Sequence, residues 1–330
     1  MRHSVPALIP LARQPPWQYS GESPYSFSAG EASMAYARGL SARGRHLIRL
    51  WLPTQPGAWA MALLPALGGL VLNGPSWRAI LLLLAWILCY CAQFAISRWF
   101  FSRRAVRYQA PAAAYGGLTI AAGLALLACA PGLLRWVPAY LILGSLSFLA
   151  AHHHQERSLW GNATAVLAAC GICPIAASLG GSPVAGPTLE HGWGGYWACR
   201  TNPGVNCFAD GFFPREALGS AQAATLIFAI GEFGSVLFVK TMIRERGSRG
   251  YYLLSVAWSL ILPAFMALAV PVLGVWPLLL AFAPTLRAAL VPPLAPPRLP
   301  VKYVGLIEFA SSAAVFALAL AAGSVLELPL

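Results

Sequence analysis

The chain has 330 residues, 58% of them hydrophobic and 10% charged, with a formal net charge of +12. A soluble globular protein carries roughly a quarter charged residues, so composition alone excludes a water-soluble enzyme or binding domain. The positive charge lies between apolar runs instead of forming one patch, which points to membrane topology and away from nucleic acid.

Residues 1–50 are rich in Pro, Ser, Gly and Arg and show no periodicity up to about Gly30, so this part is predicted to be disordered. From Ala32 to Trp51, Arg38, Arg43, Arg45 and Arg49 stand among apolar residues. Two readings stay open there: an interfacial helix on an anionic leaflet, or a basic flank that orients the first span. The first apolar stretch, Pro6–Ala12, is too short and proline-broken for a cleavable signal peptide.

Residues 51–330 read as one polytopic transmembrane domain: an all-α membrane protein, a helical bundle of about nine spans. The spans are predicted near Ala58–Leu72, Trp77–Ser97, Pro111–Ala130, Val137–Ala151 and Trp160–Leu179. Four more follow near Gly219–Lys240, Tyr251–Val270, Val272–Leu290 and Val301–Ala322, with Pro271 and Gly274 separating the seventh from the eighth. With the N-terminus inside, eighteen of the 22 Lys and Arg residues fall in cytoplasmic segments. The expected orientation is therefore N-in and C-out, in the cell (plasma) membrane.

One connection is long, about residues 180–218, and this assignment places it outside the cell. It holds Cys199 and Cys207, a candidate disulfide in an oxidising compartment, although spacing alone leaves them open to remain free thiols. It also holds the sole aspartate, Asp210. Cys170 and Cys173 have CxxC spacing but sit in an apolar run with no charge to activate a thiol, so they read as small buried residues. His152, His153 and His154 are consecutive and cannot converge from one helix, so no metal site or other cofactor is expected.

The candidate site is assembled from polar residues inside spans or at their predicted cytoplasmic ends. Glu232 is the most informative: an ionisable side chain within a span costs about 2.5–3.5 kcal/mol to insert, so it faces a partner or a wet cavity. Glu308 is a second carboxylate of this kind, and Arg287 is a candidate partner for it. Gln55 precedes span one, and Gln93 ends span two beside Arg98. Glu156, Arg157 and Asn162 lie at the start of span five, and Lys240, Arg244 and Glu245 at the exit of span six. Such a ring suits a cytoplasm-open pocket for an anionic lipid headgroup or a small anion, with guanidinium groups supplying the donors. The bilayer is the expected partner; no protein partner is legible.

Several segments together resemble the YwiC-like family of bacterial integral membrane proteins. They are QPGAWA at Gln55–Ala60, Glu156–Asn162, FVKTMIRE at Phe238–Glu245, Arg287-Ala288, and Gly305–Glu308. The resemblance runs from about Trp51 to the C-terminus and implies a polytopic architecture, without a reaction. Pro56 stands where that pattern has His, and Gly161-Asn162 where it has Asn-Asp, so chemistry needing those side chains is not expected here. The layout is also similar to UbiA-type prenyltransferases, which place active-site loops after spans two and six. Those enzymes hold Mg²⁺ on paired aspartates, which this chain lacks, so a diverged transferase without that metal, or an assembly partner of a membrane complex, is the alternative.

Overall fold

The computed structural model describes residues 50–53, 56–101, 105–155, 157–179, 218–296 and 299–326. Gln55, Glu156, Cys199, Cys207, Asp210 and the N-terminal segment lie outside the described residues. All regular structure among the described residues is helical. In sequence order the helices are α1 (Pro56–Leu72), α2 (Trp77–Phe101), α3 (Gln109–Cys129), α4 (Val137–His152) and α5 (Leu159–Ser178). They continue as α6 (Leu218–Ile243), α7 (Arg249–Ser259), α8 (Ile261–Leu273), α9 (Val275–Leu294) and α10 (Val301–Leu326), with short 3₁₀ turns at Ala105–Tyr108 and Pro131–Trp136. The physical reason is that a backbone in hydrocarbon must satisfy every N–H and C=O within its own segment.

Eight helical segments are long and apolar enough to cross a bilayer, α7 and α8 counting as one, and Gly57–Leu72 is a shorter apolar helix. At about 1.5 Å per residue, α1 reaches about 25 Å, slightly less than the hydrocarbon core. It compensates by central packing. A Cβ on Gly69 would lie 2.1 Å from the Cys173 carbonyl oxygen, so α1 and α5 meet backbone to backbone there. Asn73 Nδ2 donates to the Ala177 carbonyl at 2.6 Å, and the Ser76 hydroxyl donates to Leu179, which ties the α1–α2 turn to the end of α5.

Helices α1, α5, α6 and α10 form the centre. Their main cluster joins Val166, Cys170, Phe228, Leu318 and Ala322 with Leu262 and Met266 of α8. A second cluster joins α1, α2 and α5 to the Leu126–Leu133 corner after α3. Outward faces are apolar: Leu268 is 84% exposed and Ile120 66%. Side chains of this kind need hydrocarbon around them, so the apolar exterior and the span lengths together make this a multi-pass membrane protein.

The seventh predicted span differs in detail. Its backbone stays helical through Leu260, at φ −73° and ψ −19°, but one main-chain hydrogen bond is missing where α7 meets α8. Pro263 has no N–H to give to the Ser259 carbonyl one turn earlier, and the Thr285 hydroxyl of α9 donates to that carbonyl at 2.7 Å. The separation from the eighth span is made by one of the two predicted residues. Pro271 lies inside α8, and the break is made by Gly274 at φ +76°, a left-handed conformation that favours glycine.

Candidate functional site

Three of the ionisable residues predicted from sequence come together between α6, α9 and α10. Glu232 is 2% exposed, Arg287 6% and Glu308 5%, which makes them interior groups rather than surface charges. Arg287 Nη1 donates to Glu308 Oε2 at 2.9 Å and to Ser235 Oγ at 3.3 Å. The guanidinium lies over the Phe238 ring, 4.5 Å from its centroid. Glu232 is within electrostatic reach of both Arg287 and Glu308.

The helices set this geometry. Ser235 is one turn from Glu232 on the same face of α6, and Phe238 follows one turn later. On α10, Glu308, Ser311, Ser312 and Val315 are buried at three- and four-residue spacing and turn one face inward. Gly231 permits the close approach of α6 to α10, since a Cβ there would sit 2.6 Å from a Val315 methyl. Glu232 lies eight residues before Lys240, about 12 Å along α6. Arg287 is seven residues from the end of α9, and Glu308 seven from the start of α10, each about 10 Å. The three therefore share one depth, well inside the helix ends.

Several polar atoms in this layer have no hydrogen-bond partner among the described residues. They are Arg287 Nε and Nη2, Glu232 Oε1, Ser311 Oγ and Ser255 Oγ. Nε and Nη2 form the side edge of the guanidinium, whose two parallel N–H groups match the oxygens of a carboxylate or phosphate. The Nη1 corner is occupied by Glu308, so the cluster has one engaged edge and one available edge. Leaving such groups unpaired costs about 1–3 kcal/mol each, more for a charged group.

The remaining predicted residues are placed differently. Lys240, also buried, donates from Nζ to the Arg157 main-chain carbonyl at 2.6 Å, which joins the end of α6 to the α4–α5 connection. The Arg157 side chain is exposed. Asn162 Nδ2 donates to the Ser158 carbonyl at 2.7 Å and so serves its own helix start, which Ser158 also caps through Gly161 N. Arg244 is exposed and Glu245 half-buried in the α6–α7 turn. Arg246 donates to the Pro296 carbonyl. Arg98 is exposed, its guanidinium 5.6 Å from the Phe94 ring. Gln93 bonds Ser147 Oγ at 3.2 Å and lines an apolar cleft of about 340 Å³ between α2, α3 and α4, away from the ionic cluster.

Sequence reasoning missed Ser235, Thr285 and Phe238. Ser235 could have been found by its three-residue spacing from Glu232, and Thr285 by its place two residues before Arg287. Phe238 opens the FVKTMIRE segment, but nothing in the sequence marks it as a partner of Arg287.

Fold and cluster define a multi-pass helical membrane protein with a buried ionic group held between three of its helices. The comparisons give it relatives. The model of the YwiC-like protein family matches residues 52–177. A protein of Haemophilus influenzae (strain ATCC 51907 / DSM 11121 / KW20 / Rd), described as uncharacterized, is 31% identical over 280 residues, covering 83% of this chain and 99% of that relative. The uncharacterized protein YwiC of Bacillus subtilis (strain 168) is 29% identical over 263 residues, covering 79% of this chain and 93% of that relative. This chain belongs to the YwiC-like family. No solved structure matches it.

Proposed function

We propose that this protein is a non-catalytic, transport-like membrane protein that binds a small anion, a carboxylate or phosphate, on the available edge of Arg287. The observation that carries this reading is the pair of buried, unpartnered donors Nε and Nη2 beside an Nη1 already held by Glu308. A guanidinium needed only for helix packing would be expected to spend its donors on its neighbours; this one keeps a bidentate fork. The Thr285 hydroxyl, two residues from Arg287, donates to the Ser259 carbonyl in the same region.

In this reading the basic helix ends face the cytoplasm, and the N-terminus is inside. Exposed Arg98 and Arg244 then meet anionic headgroups of the plasma membrane. Arg287, held by Glu308, sets the anion's position, and Glu232 borders the site.

The test is thermal unfolding of the purified protein in nanodiscs with acetate, propionate, succinate and inorganic phosphate. At least one of these is expected to raise the midpoint in the wild type and to lose that effect in Arg287→Lys, which keeps the charge but not the fork. No shift with any of the four, or an equal shift in both proteins, overturns the assignment.

A further inference from the structure

We infer that an anion arriving at Arg287 brings a proton with it, and that Glu232 takes the proton up. The inference rests on the proposed anion site and names what regulates it. The argument begins with charge. At alkaline pH, with both carboxylates ionised, Glu232, Glu308 and Arg287 sum to −1 in a buried region. A bound monoanion would take the cluster to −2. Charge accumulated in low dielectric is opposed far more strongly than in water, so the favoured bound state is the one that gains a proton and returns to −1.

The geometry selects the acceptor. Glu308 holds Arg287 through a 2.9 Å charge-assisted bond, which protonation would weaken. Glu232 Oε1 has no hydrogen-bond partner among the described residues, so protonation costs it no such bond. A protonated Oε1 also becomes a donor, able to meet the anion instead of repelling it. The step is a single proton transfer: water-borne H⁺ forms an O–H bond at the Glu232 carboxylate, and no other bond changes.

The titratable groups that face Glu232 from the surrounding helices are few. Arg287 on α9 and Glu308 on α10 couple to it directly. Cys170 on α5 couples to it as well. Helices α1 and α8 carry no Asp, Glu, His, Lys or Arg. On α7, Arg249, Tyr251 and Tyr252 sit in its first turn, toward the helix ends. Glu232 is thus the one carboxylate of this cluster left unengaged among the described residues.

The experiment uses the full chain in nanodiscs, with propionate, which stays ionised between pH 6 and pH 9, as the anion. Proton uptake is followed with a pH-indicator dye in weak buffer, and affinity is measured across that range. The wild type is expected to approach one proton taken up per propionate bound at pH 9, and progressively less toward pH 6. Its affinity then tightens as pH falls from 9, approaching about tenfold per pH unit in the limit of one linked proton, and levels off toward pH 6. Glu232→Gln, which mimics the protonated acid, is expected to bind propionate with little proton uptake and a nearly flat pH dependence. Propionate binding to the wild type at pH 9 without proton uptake overturns this inference and leaves the anion site standing. Proton uptake retained in full by Glu232→Gln overturns Glu232 as the acceptor. Absence of propionate binding to the wild type overturns the inference.

Discussion

Arg287 Nη1 and Glu308 Oε2 meet at 2.9 Å, with both side chains buried, on two helices joined by a short connection. The pair is a bond between α9 and α10 formed by two buried side chains. Removing one partner leaves a charge in an apolar interior, and removing both does not. Arg287→Ala and Glu308→Ala are each expected to lose about 3–5 kcal/mol of stability. The double variant is expected to lose clearly less than the sum, measured by thermal or denaturant unfolding in detergent. Single variants that unfold at the wild-type midpoint would show that the bond contributes nothing to the fold.

The Thr285 hydroxyl replaces a helical hydrogen bond that Pro263 cannot make. Thr285→Val keeps the shape and leaves the Ser259 carbonyl unpaired, with an expected cost of about 1–3 kcal/mol. Thr285→Ser keeps the donor and is expected to stay near the wild type. Pro263→Ala restores an N–H one turn from Ser259, so the same Thr285→Val change should cost markedly less in that background. An equal cost in both backgrounds, again read from unfolding, would mean that the Thr285–Ser259 bond is incidental to the missing hydrogen bond.

Most of the architecture was legible because a bilayer imposes length and polarity on every crossing. The observed helices lie within a few residues of the predicted ones. Glu232, Arg287 and Glu308 were legible one at a time, as ionisable groups in apolar runs, and Arg287 with Glu308 also as a pair. The grouping of the rest was not. Helices here are apolar nearly all round, so the sequence carries little signal for how each is rotated about its axis. For that reason Lys240, Arg244 and Glu245, near neighbours at the exit of α6, read as one wall of a pocket. Lys240 instead turns inward to the Arg157 carbonyl while Arg244 stays exposed. The missing hydrogen bond in the seventh span was hidden for a related reason. The sequence displays Pro263, but whether the carbonyl it strands finds a donor depends on a neighbour twenty-six residues after Ser259.

Two long-range contacts bring the basic connections to one side of the bundle. Lys240 reaches the Arg157 carbonyl, and Arg246 reaches Pro296, so the α4–α5, α6–α7 and α9–α10 connections lie together. Among the described residues that side carries Arg98, Arg107, Arg157, Lys240, Arg244, Arg246, Arg249 and Lys302, whereas the opposite ends of the helices carry Arg78 and Arg135. Positive charge is retained on the cytoplasmic side of membrane proteins, so this side is expected to face inward. Because α10 starts there and crosses once more, the C-terminus is expected outside. A C-terminal alkaline phosphatase fusion should therefore be active in a bacterial host and a C-terminal green fluorescent protein fusion dark. Fusions placed at Gly247, in the α6–α7 turn, should give the opposite pair of signals. A fluorescent C-terminal fusion with an inactive phosphatase counterpart would reverse the orientation and put the basic connections outside.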